Sequence, residues 1–250
     1  MPPLEVLVFA PLILLIAYLI FGISGFGSTL IAVPLLAHLL PLKFVIPMVV
    51  LLDCVGATSM GLKLRADVWK PEFMPLLPFL LVGLFAGAFV LLNLSSQWLL
   101  LGLGIFVLLF GVNYVLKRQS SLRLPRWAAA PVGVFAGATS SALGVGGPIY
   151  VFYFTARGGT PAQIRATVPV VFSFTTVARI AIFAGLGLIT MPVLTAAAAL
   201  LPVMLLGLWC GNKLHGRLSR EQVVRIVGGL LLVSGASLLV RALTVAAVAH

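Results

Sequence analysis

Long apolar runs separated by short polar or glycine-rich stretches recur along the 250 residues. Continuous runs at about 44–61, 74–93, 97–116, 164–185, 192–212 and 222–242 come close to or exceed the roughly 20 apolar residues that a helix needs to cross hydrocarbon. Two further runs are interrupted. The first extends over about 4–21, breaks at Gly22-Ile23-Ser24-Gly25-Phe26-Gly27-Ser28 and resumes over about 28–40. The second extends over about 128–142, breaks at Leu143-Gly144-Val145-Gly146-Gly147-Pro148 and resumes over about 149–157. At about 1.5 Å per helical residue, most of these arms are too short to span roughly 30 Å. The pattern predicts helical hairpins that enter the membrane and return to their own side.

The two halves of the chain repeat one another. Gly25-Phe26-Gly27 aligns with Gly144-Val145-Gly146 at an offset of 119, and Pro47 with Pro169 at 122. At 124 the correspondence lengthens: Pro78 with Pro202, Gly83 with Gly207, Gly87 with Gly211, Ser95 with Ser219, Gly104 with Gly228, Gly111 with Gly235, and Lys117 with Arg241. Each half holds one interrupted segment and three spans. The predicted fold is therefore an all-α integral membrane domain of about ten helical segments: repeat one over 1–116, a polar linker over 117–127, and repeat two over 128–250.

Composition fixes the class. Sixty-two per cent of residues are apolar, 8% are charged and mean hydropathy is +1.22, where a soluble domain carries about 25% charged residues. The first residues lack a cleaved-signal pattern, and Glu5 stands where positive charge would be expected, so the first run is expected to remain. The net charge of +11 does not indicate nucleic acid, because the basic residues lie in short loops between apolar runs, as orientation signals do. If each hairpin returns, each half makes three net crossings and the second is inverted relative to the first. One side then collects Lys63, Arg65, Lys70, Lys117, Arg118, Arg123, Arg126, Arg157, Arg165, Lys213, Arg217, Arg220 and Arg225; the other holds Lys43 and Arg241. That asymmetry of 13 to 2 puts the rich side in the cytoplasm and both termini outside. A parallel repeat would place the basic loop 62–73 with the chargeless 186–191.

Non-helical backbone at membrane depth survives only where protein or a wet cavity satisfies it. Glycine-rich breaks at matching places in two halves therefore point to a binding site. Ser28, Thr29 and Pro148 open the second arms, whose free N–H groups and positive dipole ends face the breaks and suit an anion. Close packing through small residues is the competing account of the glycines. Arg179 lies near the middle of 164–185, and an intramembrane arginine faces a cavity or a partner. Its planar fork suits an oxyanion. Asp53 occupies the related span, matching Thr175 one turn before Arg179. Asp53 and Arg179 read either as a structural pair, or as a carrier of a coupled proton and an anion ligand. Thr175, Thr176, Ser173 and Ser59 either line that cavity or bond back to their own helix carbonyls. The site set is Ser24, Gly25, Gly27, Ser28, Thr29, Ser140, Gly144, Gly146, Gly147, Pro148, Thr175 and Arg179, with Asp53 for proton coupling. Cys54 and Cys210 read as small buried hydrophobes, His38 as interfacial, and no cofactor or metal pattern is present.

These two glycine breaks, with Pro34 nine residues after Gly25, resemble the TauE/SafE sulfite exporter family (TSUP) over nearly the whole chain. The family's second break usually reads Gly-x-Gly-Gly-Gly-x, and here Pro148 directly follows Gly147. The resemblance implies a secondary transporter that exports sulfite, sulfoacetate or other organosulfonates across a bacterial inner membrane. Its partners are then a small anion and the lipid bilayer, with proton coupling and a homo-oligomer left open. A passive anion channel fits the same site. Gly22-Ile23-Ser24-Gly25 also matches the Gly-x-Ser-Gly of intramembrane serine proteases, but His38 stands fourteen residues on, about 21 Å away along a helix. That is too far for a general base.

Overall fold

The computed structural model describes residues 4–24, 28–61, 68–115, 123–214 and 220–248, and all regular structure among them is helical. In chain order the helices are α1 (Leu4–Ser24), α2 (Ser28–Leu36), α3 (Leu42–Gly61), α4 (Lys70–Phe73), α5 (Leu77–Asn93), α6 (Ser96–Val115), α7 (Ala129–Leu143), α8 (Gly147–Ala156), α9 (Pro161–Gly185), α10 (Met191–Leu214) and α11 (Arg220–Val248). A 3₁₀ turn at Met74–Leu76 joins α4 to α5 in one rod. Among the described residues, five helical stretches are long and apolar enough to cross a membrane: Glu5–Ile23, Lys70–Asn93, Ser96–Asn113, Pro161–Gly185 and Met191–Leu214. Their outward faces carry exposed Phe85, Phe89, Leu109, Val177 and Trp209, as helices bathed in lipid do. The chain is a multi-pass membrane protein.

Helix pairing links the two halves. α1 packs along α10, α5 along α7, α6 along α11 and α3 against α9. Exchanging the halves carries the first pair onto the second and returns each of the others to itself. Glycines make the close pairs possible. A Cβ added to Gly207 would lie 2.6 Å from the Leu15 carbonyl oxygen, and one on Gly211 would strike the Leu19 carbonyl. Gly83 and Gly87 meet the Val134 and Ala138 carbonyls in the same way. These are the glycines matched at the 124-residue offset. Without a hydrophobic force between helices in lipid, such close backbone contact supplies the dispersion energy that joins them.

The first break begins later than its sequence indicates. α1 continues through Gly22 and ends at Ser24, so it has 21 residues and a length of about 31 Å. It is three residues longer than the 4–21 arm expected from the sequence. Gly22 serves packing rather than the turn, because a Cβ there would lie 2.7 Å from the Leu208 carbonyl oxygen on α10. The other arms are short as expected: nine residues in α2, 15 in α7 and ten in α8. Gly104 is a packed position, since a Cβ would come within 2.9 Å of Leu239 on α11.

Candidate functional site

Two ionisable side chains occupy the centre, Asp53 on α3 and Arg179 on α9, each with 0% exposure. α9 is launched firmly. Thr160 and Gln163 form a capping box, with the Gln163 N–H donating to Thr160 Oγ1 at 3.3 Å and the Thr160 N–H donating to Gln163 Oε1 at 2.9 Å. Pro161 in the first turn suits the helix start. These features set the register that carries Arg179 inward.

Asp53 is held on one oxygen. The Tyr18 hydroxyl of α1 donates to Oδ1 at 2.8 Å, and Ser28, the first residue of α2, donates to the same atom at 2.7 Å. Oδ2 has no hydrogen-bond partner. Arg179 is likewise half-engaged: NH1 donates to the Ser140 carbonyl at 2.9 Å, while Nε and NH2 have no partner. Asp53 and Arg179 feel each other's charge, yet among the described residues no ion pair within 4.0 Å joins them. Buried polar groups are nearly always satisfied. Here two guanidinium nitrogens, a carboxylate oxygen and the hydroxyls of Ser141 and Thr176 are all unmatched.

The second break stands beside this centre. Gly144 takes φ +77°, a left-handed turn that favours glycine. Its N–H donates to the Ser140 carbonyl at 3.1 Å and the Val145 N–H to Thr139 at 3.3 Å, closing α7. Ser140 Oγ and the Tyr150 hydroxyl lie 3.1 Å apart and tie α7 to α8 across the break. A Cβ on Gly146 would collide with that Ser140 hydroxyl and lie 2.9 Å from the Tyr150 oxygen. One on Gly147 would meet nothing within 4 Å. Pro148 sits in the first turn of α8. The two hairpins approach here, since a Cβ on Gly144 would lie 3.0 Å from Val33 of α2.

Of the residues singled out from sequence, Ser28, Asp53, Ser140, Gly144, Gly146 and Arg179 converge on this centre. Thr29 is buried next to Ser28. Thr175, fully buried, donates to the Phe172 carbonyl of its own helix at 3.0 Å and also hydrogen-bonds with the Tyr150 hydroxyl, which joins it to the centre. Ser173 donates to the Pro169 carbonyl at 2.8 Å, and for it back-bonding explains the hydroxyl. Gly25 and Gly27 lie outside the described residues, as do the side chains of Ser24 and Ser59. Tyr18 and Tyr150 were not singled out from the sequence. Each is a hydroxyl inside an apolar run, and a buried tyrosine needs a partner for that group.

The family model described as sulfite exporter TauE/SafE matches residues 10–238, which include both breaks, Asp53 and Arg179. The chain belongs to the sulfite exporter TauE/SafE family. It is therefore a membrane transporter rather than an enzyme, and the protease reading of Gly22-Ile23-Ser24-Gly25 falls away. It is 29% identical over 195 residues, 76% of this chain and 81% of the other, to the probable inner membrane transporter protein TsaS of Comamonas testosteroni. It is 27% identical over 231 residues, 89% of each chain, to the probable sulfite/organosulfonate exporter TauE of Cupriavidus necator. No solved structure matches it significantly.

Proposed function

We propose that this TauE/SafE member is a secondary transporter that exports small sulfur-containing anions, such as sulfite, sulfoacetate or other organosulfonates, across the inner membrane. The observation that carries the reading is Arg179, wholly buried with Nε and NH2 unengaged beside the second break. Those two N–H groups present the fork that matches two oxygens of an oxyanion. The unpartnered hydroxyls of Ser141, next in the chain to Ser140, and of Thr176, about one turn before Arg179 on α9, offer further donors, and the start of α8 adds the positive end of a helix dipole. The family's description and the name of the Cupriavidus necator relative supply the sulfur chemistry. In this reading the halves are inverted repeats, both termini are periplasmic and the 117–127 linker is cytoplasmic.

Counterflow tests it. Proteoliposomes preloaded with unlabelled sulfite or a sulfonate should accumulate labelled external anion, because a carrier exchanges and a channel only equilibrates. Arg179→Lys should abolish the exchange, since an ammonium lacks the fork. Equilibration without counterflow would indicate the channel instead, and wild-type exchange by Arg179→Lys would remove Arg179 from the site.

A further inference from the structure

Asp53 Oδ2 is the acceptor counterpart of the unengaged Arg179 nitrogens, buried in the same centre and equally without a partner. Uncompensated charge is expensive at membrane depth, so the net charge of the centre constrains its working states. With no substrate, Arg179 positive and Asp53 negative sum to zero. Binding a monoanion alone would leave one net negative charge buried. Binding it together with a proton on Asp53 Oδ2 restores zero.

On the anion-transport reading above, we infer that Asp53 couples transport to protons, taking one proton with each monoanion bound at Arg179 and releasing both on the opposite side. The proton comes from the compartment that the site faces, rests on Oδ2 and leaves with the anion, so both loaded and empty centres cross uncharged. Flux then follows the product of anion and proton gradients, and accumulation of the anion inside drives export. Asp53 suits this role because Tyr18 and Ser28 both donate to Oδ1. They fix the carboxyl and leave Oδ2 for the proton. The ionisable groups acting on the Asp53 carboxyl are Tyr18 from α1 and Arg179 from α9. Tyr150 of α8 acts on Arg179 in turn. From α2, α5, α6, α7 and α10, also packed on α3, no ionisable group acts on it among the described residues.

Methanesulfonate, which stays a monoanion across the working pH range, is the probe. Wild-type proteoliposomes carrying an internal pH dye should acidify by one proton per methanesulfonate taken up, at a rate unchanged by an imposed potassium-diffusion potential. Asp53→Asn cannot carry the proton. Its empty centre keeps an unbalanced arginine, so methanesulfonate exchange should persist while net flux falls by roughly tenfold or more. Wild-type uptake that moves no proton, or that speeds up with voltage, overturns the coupling whatever the mutant does. Net flux at the wild-type rate in Asp53→Asn does the same. Absence of wild-type exchange overturns the sulfonate-carrier reading beneath it, and is distinguishable because the coupling measurements all presuppose that exchange.

Discussion

Glu72 on α4 accepts two hydrogen bonds from Arg157, which follows α8: Nε donates to Oε2 at 2.9 Å and NH2 to Oε1 at 2.7 Å. The pair joins the two halves of the chain, and Arg126 adds a third contact at 3.7 Å. Arg157 NH1 also donates to the Leu124 carbonyl, so the Arg157 side chain anchors the approach to α7 as well. Its bonds to Glu72 hold the Arg157 guanidinium above its usual pKa. With side-chain exposures of 14% and 6%, the pair is largely shielded from water and screening salt. Glu72→Gln should lower stability by about 2 kcal/mol, the worth of charge-assisted bonds. A thermal melt in detergent would read this as a drop of several degrees. A melt unchanged within error would show that the clasp is not structural.

The helix-packing glycines and the break glycines should separate in their phenotypes. Gly87→Val and Gly211→Val place branched side chains against the Ala138 and Leu19 carbonyls. A backbone obstacle cannot swing aside, so these variants should fail to accumulate as folded protein. Gly147→Ala introduces a methyl that meets nothing within 4 Å. It should melt as wild type does yet transport more slowly, because the methyl occupies space at the start of α8 where the anion is proposed to lie. Equal transport by Gly147→Ala would move the anion elsewhere.

Orientation rests on charge. In a variant lacking Cys54 and Cys210, a cysteine at Ser95 should react with an impermeant maleimide added to intact cells whose outer membrane has been permeabilised. One at Arg123 should react only after the inner membrane is opened. The opposite pattern would invert the proposed topology.

How much of this was legible follows from where the information lies. Apolar run lengths locate α3, α5, α6, α9 and α10 within a few residues, because hydrocarbon thickness dictates them; α11 starts as expected but runs on to Val248, past the expected end at 242. The repeat offset aligns Gly83 with Gly207 and Gly87 with Gly211, and both pairs prove to be contact positions. Asp53 and Arg179 announce themselves, since a charge inside an apolar run needs a reason. The function of Gly22 was not legible. A glycine before a break reads as part of the turn, and only the approach of α10 reveals that it makes room for a neighbour. Tyr18 and Tyr150 escaped for a related reason: which hydroxyl meets which acceptor is decided by helices 35 residues apart for Tyr18 and Asp53, and no local periodicity encodes that.

The sharpest prediction separates a structural Asp53–Arg179 pair from a functional one. A structural pair would make direct hydrogen bonds, and removing both charges together would then restore stability and leave transport intact. The geometry argues otherwise. Asp53 spends its bonds on Tyr18 and Ser28, Arg179 spends one on Ser140, and the atoms that could join them remain unmatched. Asp53→Asn alone should destabilise the anion-free protein, by up to about 3–5 kcal/mol if the lost carboxylate leaves the arginine fully uncompensated. Saturating anion should restore much of that loss, because a ligand that binds only the folded state stabilises it in proportion to the logarithm of its concentration. Asp53→Asn with Arg179→Gln removes both charges, so the double variant should melt near wild type with no shift on adding anion, and should show no counterflow. Melting curves with and without sulfite or methanesulfonate, run beside transport assays on the same preparations, check all three statements. A double variant that carries either anion at the wild-type rate would make Arg179 a structural residue and leave the hairpin tips to bind the anion unaided.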